Sequence, residues 1–322
     1  MEDEKLLKIL RSHRANFVSG AQLCSKLDIS KTTLSRHLHQ LRQHGYDLQT
    51  QPHLGYRLLS VPDRLLAEEL SWRLQTKIIG KKILAYNIVD STNKVAFALA
   101  EQGAAYGTTV FAEGQSKGKG RLGRSWVSPK GTGIYFSVVL RPDISPGEAS
   151  LVTLLAAVSS VEAIRKVTGL RALIRWPNDV LVNNKKVCGI LTEMQAEDSR
   201  IKFLILGLGV NVNTASHKLP VGAGSLKEES SSQRRLSRLK LAQELMRQLD
   251  QHYLAFKEKG AEEIIRQWKN LSAFSGKRVK VFYANKTVEG FAQDIDESGA
   301  LIVRLDNGFR QHILAGDIVK IR

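Results

Sequence analysis

Residues 112–126 read AEGQSKGKGRLGRSW, a glycine-rich loop with four cationic side chains and no acid after Glu113. Glycine permits positive φ and close backbone approach. The N–H groups of Gly118, Gly120 and Gly123 can therefore converge on a carboxylate or phosphate, with Arg121 and Arg124 adding charge. Such a loop is expected to wrap an anion.

Outward from it the chain alternates strands and helices. ILAYNIV (83–89), a helix over 93–102 and TTVFAE (108–113) precede the loop, and GIYFSVVL (133–140) with a long helix over 148–167 follows it. ALIRW, DVLVN, KVCGILTEM and IKFLILGLGV continue the series, and hairpins such as VLVNNKKV mix with helical crossovers. A mixed sheet with helices packed on it is predicted. Residues 214–235, rich in Ser, Gly, Lys and Glu, read as a mobile loop before two helices over 236–258 and 261–270.

The N-terminal stretch has another character. Leu6, Ile9, Leu10 and Phe17 mark an amphipathic helix and its exit, and Ser19 is placed to cap a second helix carrying Leu23 and Leu27. Ser30 caps a third, in which Leu34, Leu38 and Leu41 recur on one face and Lys31, Thr32, Ser35, Arg36 and His39 on the other. Gly45 ends it, and YDLQT and GYRLL follow as a hairpin. Three helices and a hairpin make a winged helix-turn-helix, with Ser19, Lys31, Thr32, Thr33, Ser35, Arg36 and His39 as DNA-binding residues. Ser60-Val61-Pro62-Asp63 breaks the pattern, and a new helix is expected over 64–74. After Ser275-Gly276, five short strand-like runs separated by Asn-Lys, Glu-Ser-Gly and Asp-Asn-Gly turns predict a small barrel.

Composition sets bounds on function. A net charge of +17 over 322 residues points to a polyanionic partner. Cys24 and Cys188 are far apart and fit no CxxC pattern, so reduced thiols in a cytoplasmic chain are expected. The first residues, MEDEKLLKIL, resemble neither a signal nor a transit peptide. Apolar runs such as 151–158 and 203–212 fall short of a bilayer span. Five of the eight histidines lie before residue 60 without metal-ligand spacing, so no metal is assigned to them.

Four segments carry the chemistry: Asp90-Ser91-Thr92-Asn93, the basic loop from Gln115 to Trp126, Arg175-Trp176-Pro177-Asn178-Asp179, and Lys186-Val187-Cys188-Gly189-Ile190-Leu191. Together they resemble the biotin protein ligases. The order helix-turn-helix, catalytic domain, small barrel resembles the bifunctional bacterial type that is also the biotin operon repressor. The resemblance covers the whole chain. It implies a multidomain α+β protein: a winged helix-turn-helix (1–62), a mixed α/β catalytic domain of the class II synthetase-like biotin ligase fold (63–273) and an SH3-like barrel (274–322).

The family reaction has two steps: biotin and MgATP give biotinyl-5′-AMP and pyrophosphate, and a lysine of the biotin carboxyl carrier protein of acetyl-CoA carboxylase then attacks the mixed anhydride. By resemblance Ser91, Thr92, Asn93, Gln115, Lys119, Gly120, Arg121, Lys186 and Gly189 bind biotin. Arg121, Arg124, Trp126, Asn178, Lys186 and Asn211 take the nucleotide, and Lys186, Arg121, Arg124 and Asp179 are catalytic. Asp179 either orients Lys186 or helps hold Mg²⁺, and Lys185 is expected to be solvated. Two positions depart from the commonest family loop, GRGRxGR, in which x is often Arg: Lys119 replaces the first arginine, and Leu122 at x is placed to cover the ligand. A biotinyl-AMP-promoted homodimer on operator DNA is the implied regulatory form. A ligase for another small acid such as lipoate, and a ligand-sensing repressor without ligase activity, are the competing readings.

Overall fold

The structure, a computed structural model, describes residues 2–13, 16–232, 234–283 and 286–321. Residues 1–64 and 65–322 form two compact units.

In the first unit, helices α1 (Glu2–Ser12), α2 (Gly20–Leu27) and α3 (Lys31–Gln43) precede a hairpin of β1 (Asp47–Gln51) and β2 (Gly55–Ser60). Ser19 and Gln22 form a reciprocal capping box at the start of α2, and Ser30 Oγ accepts the Thr33 N–H at 3.1 Å at the start of α3. Leu6, Leu7, Leu10, Leu23, Leu34, Leu38 and Leu41 meet in one core. Burying that leucine face leaves Lys31, Thr32, Ser35, Arg36 and His39 exposed along α3, while Thr33 and Ser19 are half-buried at the helix starts.

The second unit begins with a correction. The helix expected over 64–74 is only α4 (Ala67–Ser71), because Trp72 is extended and Arg73 and Gln75 take positive φ. Next come β3 (Ile83–Val89), α5 (Thr92–Glu101), β4 (Thr109–Gln115), β5 (Gly133–Leu140), α6 (Ala149–Thr168), β6 (Leu173–Arg175), β7 (Asp179–Val182), β8 (Lys185–Glu197) and β9 (Arg200–Asn211). The seven strands form one sheet in the order β3-β4-β5-β9-β8-β7-β6, in which only β3 and β4 run parallel. Asn183 and Asn184 both take positive φ, which closes the β7–β8 hairpin as the Asn-Asn pair predicts. Helix α5 covers the face bearing Val110, Val139, Phe203 and Ile205. On the other face Thr153 of α6 meets Thr192 at 3.0 Å. Helix α6 is apolar and long enough to cross a membrane by composition, but it is buried on almost every side as a core helix.

Helices α7 (Arg238–Lys259) and α8 (Glu262–Asn270) lead to a five-stranded antiparallel sheet of β10 (Arg278–Tyr283), β11 (Lys286–Ile295), β12 (Leu301–Arg304), β13 (Arg310–Ile313) and β14 (Asp317–Ile321). Asn285 of the expected Asn-Lys turn lies outside the described residues.

Both cysteines are free: Cys24 is half-buried, while burial pushes the Cys188 thiol up to about 12. A raised value keeps Cys188 neutral and unreactive throughout the ordinary pH range. At pH 8 a maleimide should therefore label one cysteine in the folded protein and both after denaturation; labelling of two in the folded chain would contradict this burial.

Candidate active site

A row of matched positions crosses the sheet: Tyr135 pairs with Gly209, Gly209 with Gly189, and Gly189 with Asp179. Two residues along, Ser137 pairs with Gly207 and Gly207 with Leu191. These glycines leave the sheet surface bare, and other side chains lie directly on it. A Cβ on Gly207 would come within 1.9 Å of Asn93 Oδ1, and one on Gly209 within 2.4 Å of Trp126 Nε1. Gly189 lies under the Trp126 ring, which stands 2.8 Å from where a Cβ would be.

The cavity above this floor measures about 520 Å³, the size of a site for a small molecule and its cofactor. All fourteen residues expected to bind biotin, bind nucleotide or act in catalysis line it. Leu122 does not: it takes a left-handed conformation at φ 54° and is 68% exposed.

The inner wall is a connected set of hydroxyls and amides. Gln115 Oε1 accepts from the Thr92 N–H at 2.8 Å and from the Thr92 hydroxyl at 3.1 Å. The start of α5 is thus satisfied by a side chain from β4, while Ser91 occupies the N-cap position without capping and Asn93 does not cap either. Asn93 Nδ2 donates to Glu193 at 2.7 Å, and its Oδ1 lies 2.6 Å from Ser137 Oγ, which is also 2.8 Å from Thr92 Oγ1. On the other side Gln115 Nε2 donates to Ser128 Oγ at 2.9 Å, and Ser128 donates to the Trp126 carbonyl at 3.0 Å. Ser91, Thr92 and Asn93 are all buried, so this array is held before any ligand arrives.

Cations gather at the mouth. The loop closes on itself through a bridge between Lys119 and Ser125, with Gly120 N–H donating to Arg124 at 2.7 Å and Trp126 N–H to Gly118 at 2.8 Å. Arg121 donates to Asn178 Oδ1 at 3.0 Å and to Asp317 at 3.1 Å, and Arg124 pairs with the other oxygen of Asp317 at 2.7 Å. Asp179 stands between Lys186 at 2.6 Å and Arg175 at 2.7 Å. Lys186 also lies 5.3 Å from the Trp126 ring centroid, a cation–π distance. Five cationic side chains and two carboxylates line the cavity, so it keeps a positive surplus suited to an anion.

For Mg²⁺, the described residues contain no group of three His, Cys, Asp or Glu side chains placed to hold an ion. The carboxylates that line the cavity are Asp179 and Asp317, the residues that could hold such an ion together with substrate phosphates. Asn211 Nδ2 donates to the Gly224 carbonyl at 3.1 Å, and its buried Oδ1 has no partner.

Sequence reasoning missed several participants. Ser137 leaves a faint signal, a lone hydroxyl in the otherwise apolar run GIYFSVVL. Glu193 and Asp317 leave none, because only the folded chain brings them to the loop. Lys185 is exposed, as expected, and also pairs with Glu229 at 2.9 Å. Part of the 214–235 segment is bridged by backbone hydrogen bonds to β8: Lys186 N–H donates to Gly222 and Gly224 N–H to Lys186, both at 3.0 Å.

Comparison with known proteins agrees with this geometry. The Biotin/lipoate A/B protein ligase family matches residues 84–211, the Biotin protein ligase C terminal domain 274–320, and the HTH domain 3–57. The bifunctional ligase/repressor BirA of Bacillus spizizenii is 34% identical over 317 residues, 97% of each chain. The chain belongs to the bifunctional biotin ligase/repressor family. BirA of Escherichia coli is 29% identical over 98% of this chain and 95% of its own. Among solved structures, the biotin protein ligase of Aquifex aeolicus in complex with biotin and ATP is similar at TM-score 0.64 and 29% identity, covering 75% of this chain and 99% of that one. The family assignment accounts for the helix-turn-helix, the mixed sheet and the C-terminal antiparallel sheet on one chain.

Gly209→Ala tests the floor. The added methyl has no room beneath Trp126, so the variant should lose about 1–3 kcal/mol of stability or displace the indole. A thermal melt with tryptophan fluorescence reads both, and a wild-type melt and spectrum would contradict the packing described.

Proposed function

We propose that this chain is an ATP-dependent biotin protein ligase that also represses the biotin operon, with biotinyl-5′-AMP as the intermediate of one activity and the corepressor of the other. The observation that carries the reading is the convergence on one cavity of a hydroxyl-and-amide wall and a cationic mouth, in a chain that also bears a helix-turn-helix. We divide its functions among domains 1–62, 63–273 and 274–322.

Biotin's ureido head has a carbonyl acceptor and N–H donors, which Ser91, Thr92 and Gln115 complement, with Asn93 behind them. Its carboxylate then lies toward Lys186 and Arg121. A carboxylate oxygen attacks the α-phosphorus of ATP, the bond to the bridging oxygen of pyrophosphate breaks, and biotinyl-5′-AMP forms. Arg121, Arg124 and Lys186 offset the charge that brings carboxylate and phosphate together. Asp179 holds Lys186 in line for that task. Asp179 would help hold Mg²⁺ on the triphosphate, where the ion would supply charge neutralisation. In the second step the lysine amine of the biotin carboxyl carrier protein attacks the acyl carbon, AMP leaves and the amine proton is lost.

The exposed polar face of α3 supports placing Lys31, Thr32, Ser35, Arg36 and His39 in the major groove, with Thr33 and Ser19 at the phosphates. Strand β3 is a sheet edge that exposes Tyr86 and Ile88 and runs directly into Ser91, which supports an adenylate-promoted homodimer on an inverted-repeat operator. Two free cysteines support work in the reducing cytoplasm.

Lys186→Ala should abolish formation of radiolabelled biotinyl-AMP; adenylate at the wild-type rate would refute the role of Lys186. Operator affinity should fall about 10³-fold or more between 50 and 200 mM salt, as expected for a dimer neutralising six or more phosphates. Sedimentation should show more dimer with biotinyl-AMP than without, and equal dimer fractions would sink the coupling.

A further inference from the structure

Glu193 is an acidic side chain that touches both the basic loop and the inner wall. It stands on β8 two residues beyond Leu191 and four beyond Gly189, on the strand face that floors the cavity. One carboxylate oxygen pairs with Lys119 Nζ at 3.1 Å, and the other accepts Asn93 Nδ2 at 2.7 Å. Asn93 is then fixed from both ends, with Ser137 on its oxygen and the bare backbone of Gly207 beneath it.

The identity of the loop residue matters to this arrangement. A lysine ammonium is a point charge and engages one oxygen, leaving the second for Asn93. An arginine fork is shaped to take both oxygens of a carboxylate and would compete with Asn93. Lys119, Glu193 and Asn93 are therefore a matched set.

We propose that Glu193 is a positioning residue that couples closure of the basic loop to the shape of the biotin head pocket. With Lys119 held, the arm from Gly118 to Arg121 stays over the cavity; with Asn93 held, Ser137 and Thr92 keep their places on the wall. A ligand that seats the wall thereby favours the closed loop, and an open loop loosens the wall. This rests on the biotin-activation reading, and it assigns retention of the intermediate to a residue that contacts neither biotin nor nucleotide.

The test uses synthetic biotinyl-5′-AMP loaded onto the full-length protein, so that it does not depend on catalysis. Glu193→Gln keeps an acceptor for Asn93 but loses the charge that holds Lys119. It should release adenylate about three- to fivefold faster, the scale of a partly exposed ion pair. Lys119→Gln should release it at a similar rate, and the double variant no faster than either single one. Glu193→Ala frees Asn93 as well and should also raise the biotin concentration needed for half-maximal activity. Wild-type retention in Lys119→Gln, whose side chain is half-exposed and not needed for folding, would overturn the proposal, as would leak rates that multiply in the double variant. Failure of the wild-type protein to bind the synthetic adenylate would instead overturn the activation reading.

Discussion

The site depends on holding like charges together before any anion is present. Two unit charges 4 Å apart repel by about 4 kcal/mol at an effective dielectric constant of 20, so several cations cannot be gathered at a pocket mouth without compensation. Here the compensation is built into the fold. Asp179 separates Lys186 from Arg175, and Asp317 separates Arg121 from Arg124. Antiparallel pairing of β7 with β8 brings Asp179 beside Gly189, and the C-terminal sheet delivers Asp317 from the far end of the chain. Cations fixed in this way need little reorganisation when charge develops, which is what phosphoryl chemistry demands of a protein.

The same fold provides the neutral half of the site. Glycines at paired positions on β8 and β9 strip the sheet of side chains where Trp126 and Asn93 lie on it. Thr92, Asn93 and Gln115 then satisfy one another through Ser137 and Ser128. Wall and mouth share the basic loop: Lys119 is tied to one end of this network through Glu193, and the Trp126 carbonyl closes the other.

Much of this was legible in the chain because local signals are strong where one segment does one job. Apolar runs bounded by turn residues marked the sheet, the Ser30 cap and leucine spacing marked α3, and the glycine-and-arginine loop marked the mouth. What escaped depends on distance along the chain. Asp317 lies 196 residues from Arg121 and Glu193 lies 74 from Lys119, and nothing near either announces its partner. Local backbone decided the other misses. Positive φ at Arg73 and Gln75 cut the expected helix short, and the left-handed turn at Leu122 pointed an apolar residue into solvent.

The central claim is that this cavity joins biotin to the α-phosphate of ATP. Pyrophosphate release tests it most directly, measured with biotin and MgATP and, in parallel, with lipoate and MgATP. One pyrophosphate per protein should appear in the first turnover with biotin, and none above background with lipoate. Release with lipoate, or none with either acid, would contradict the account.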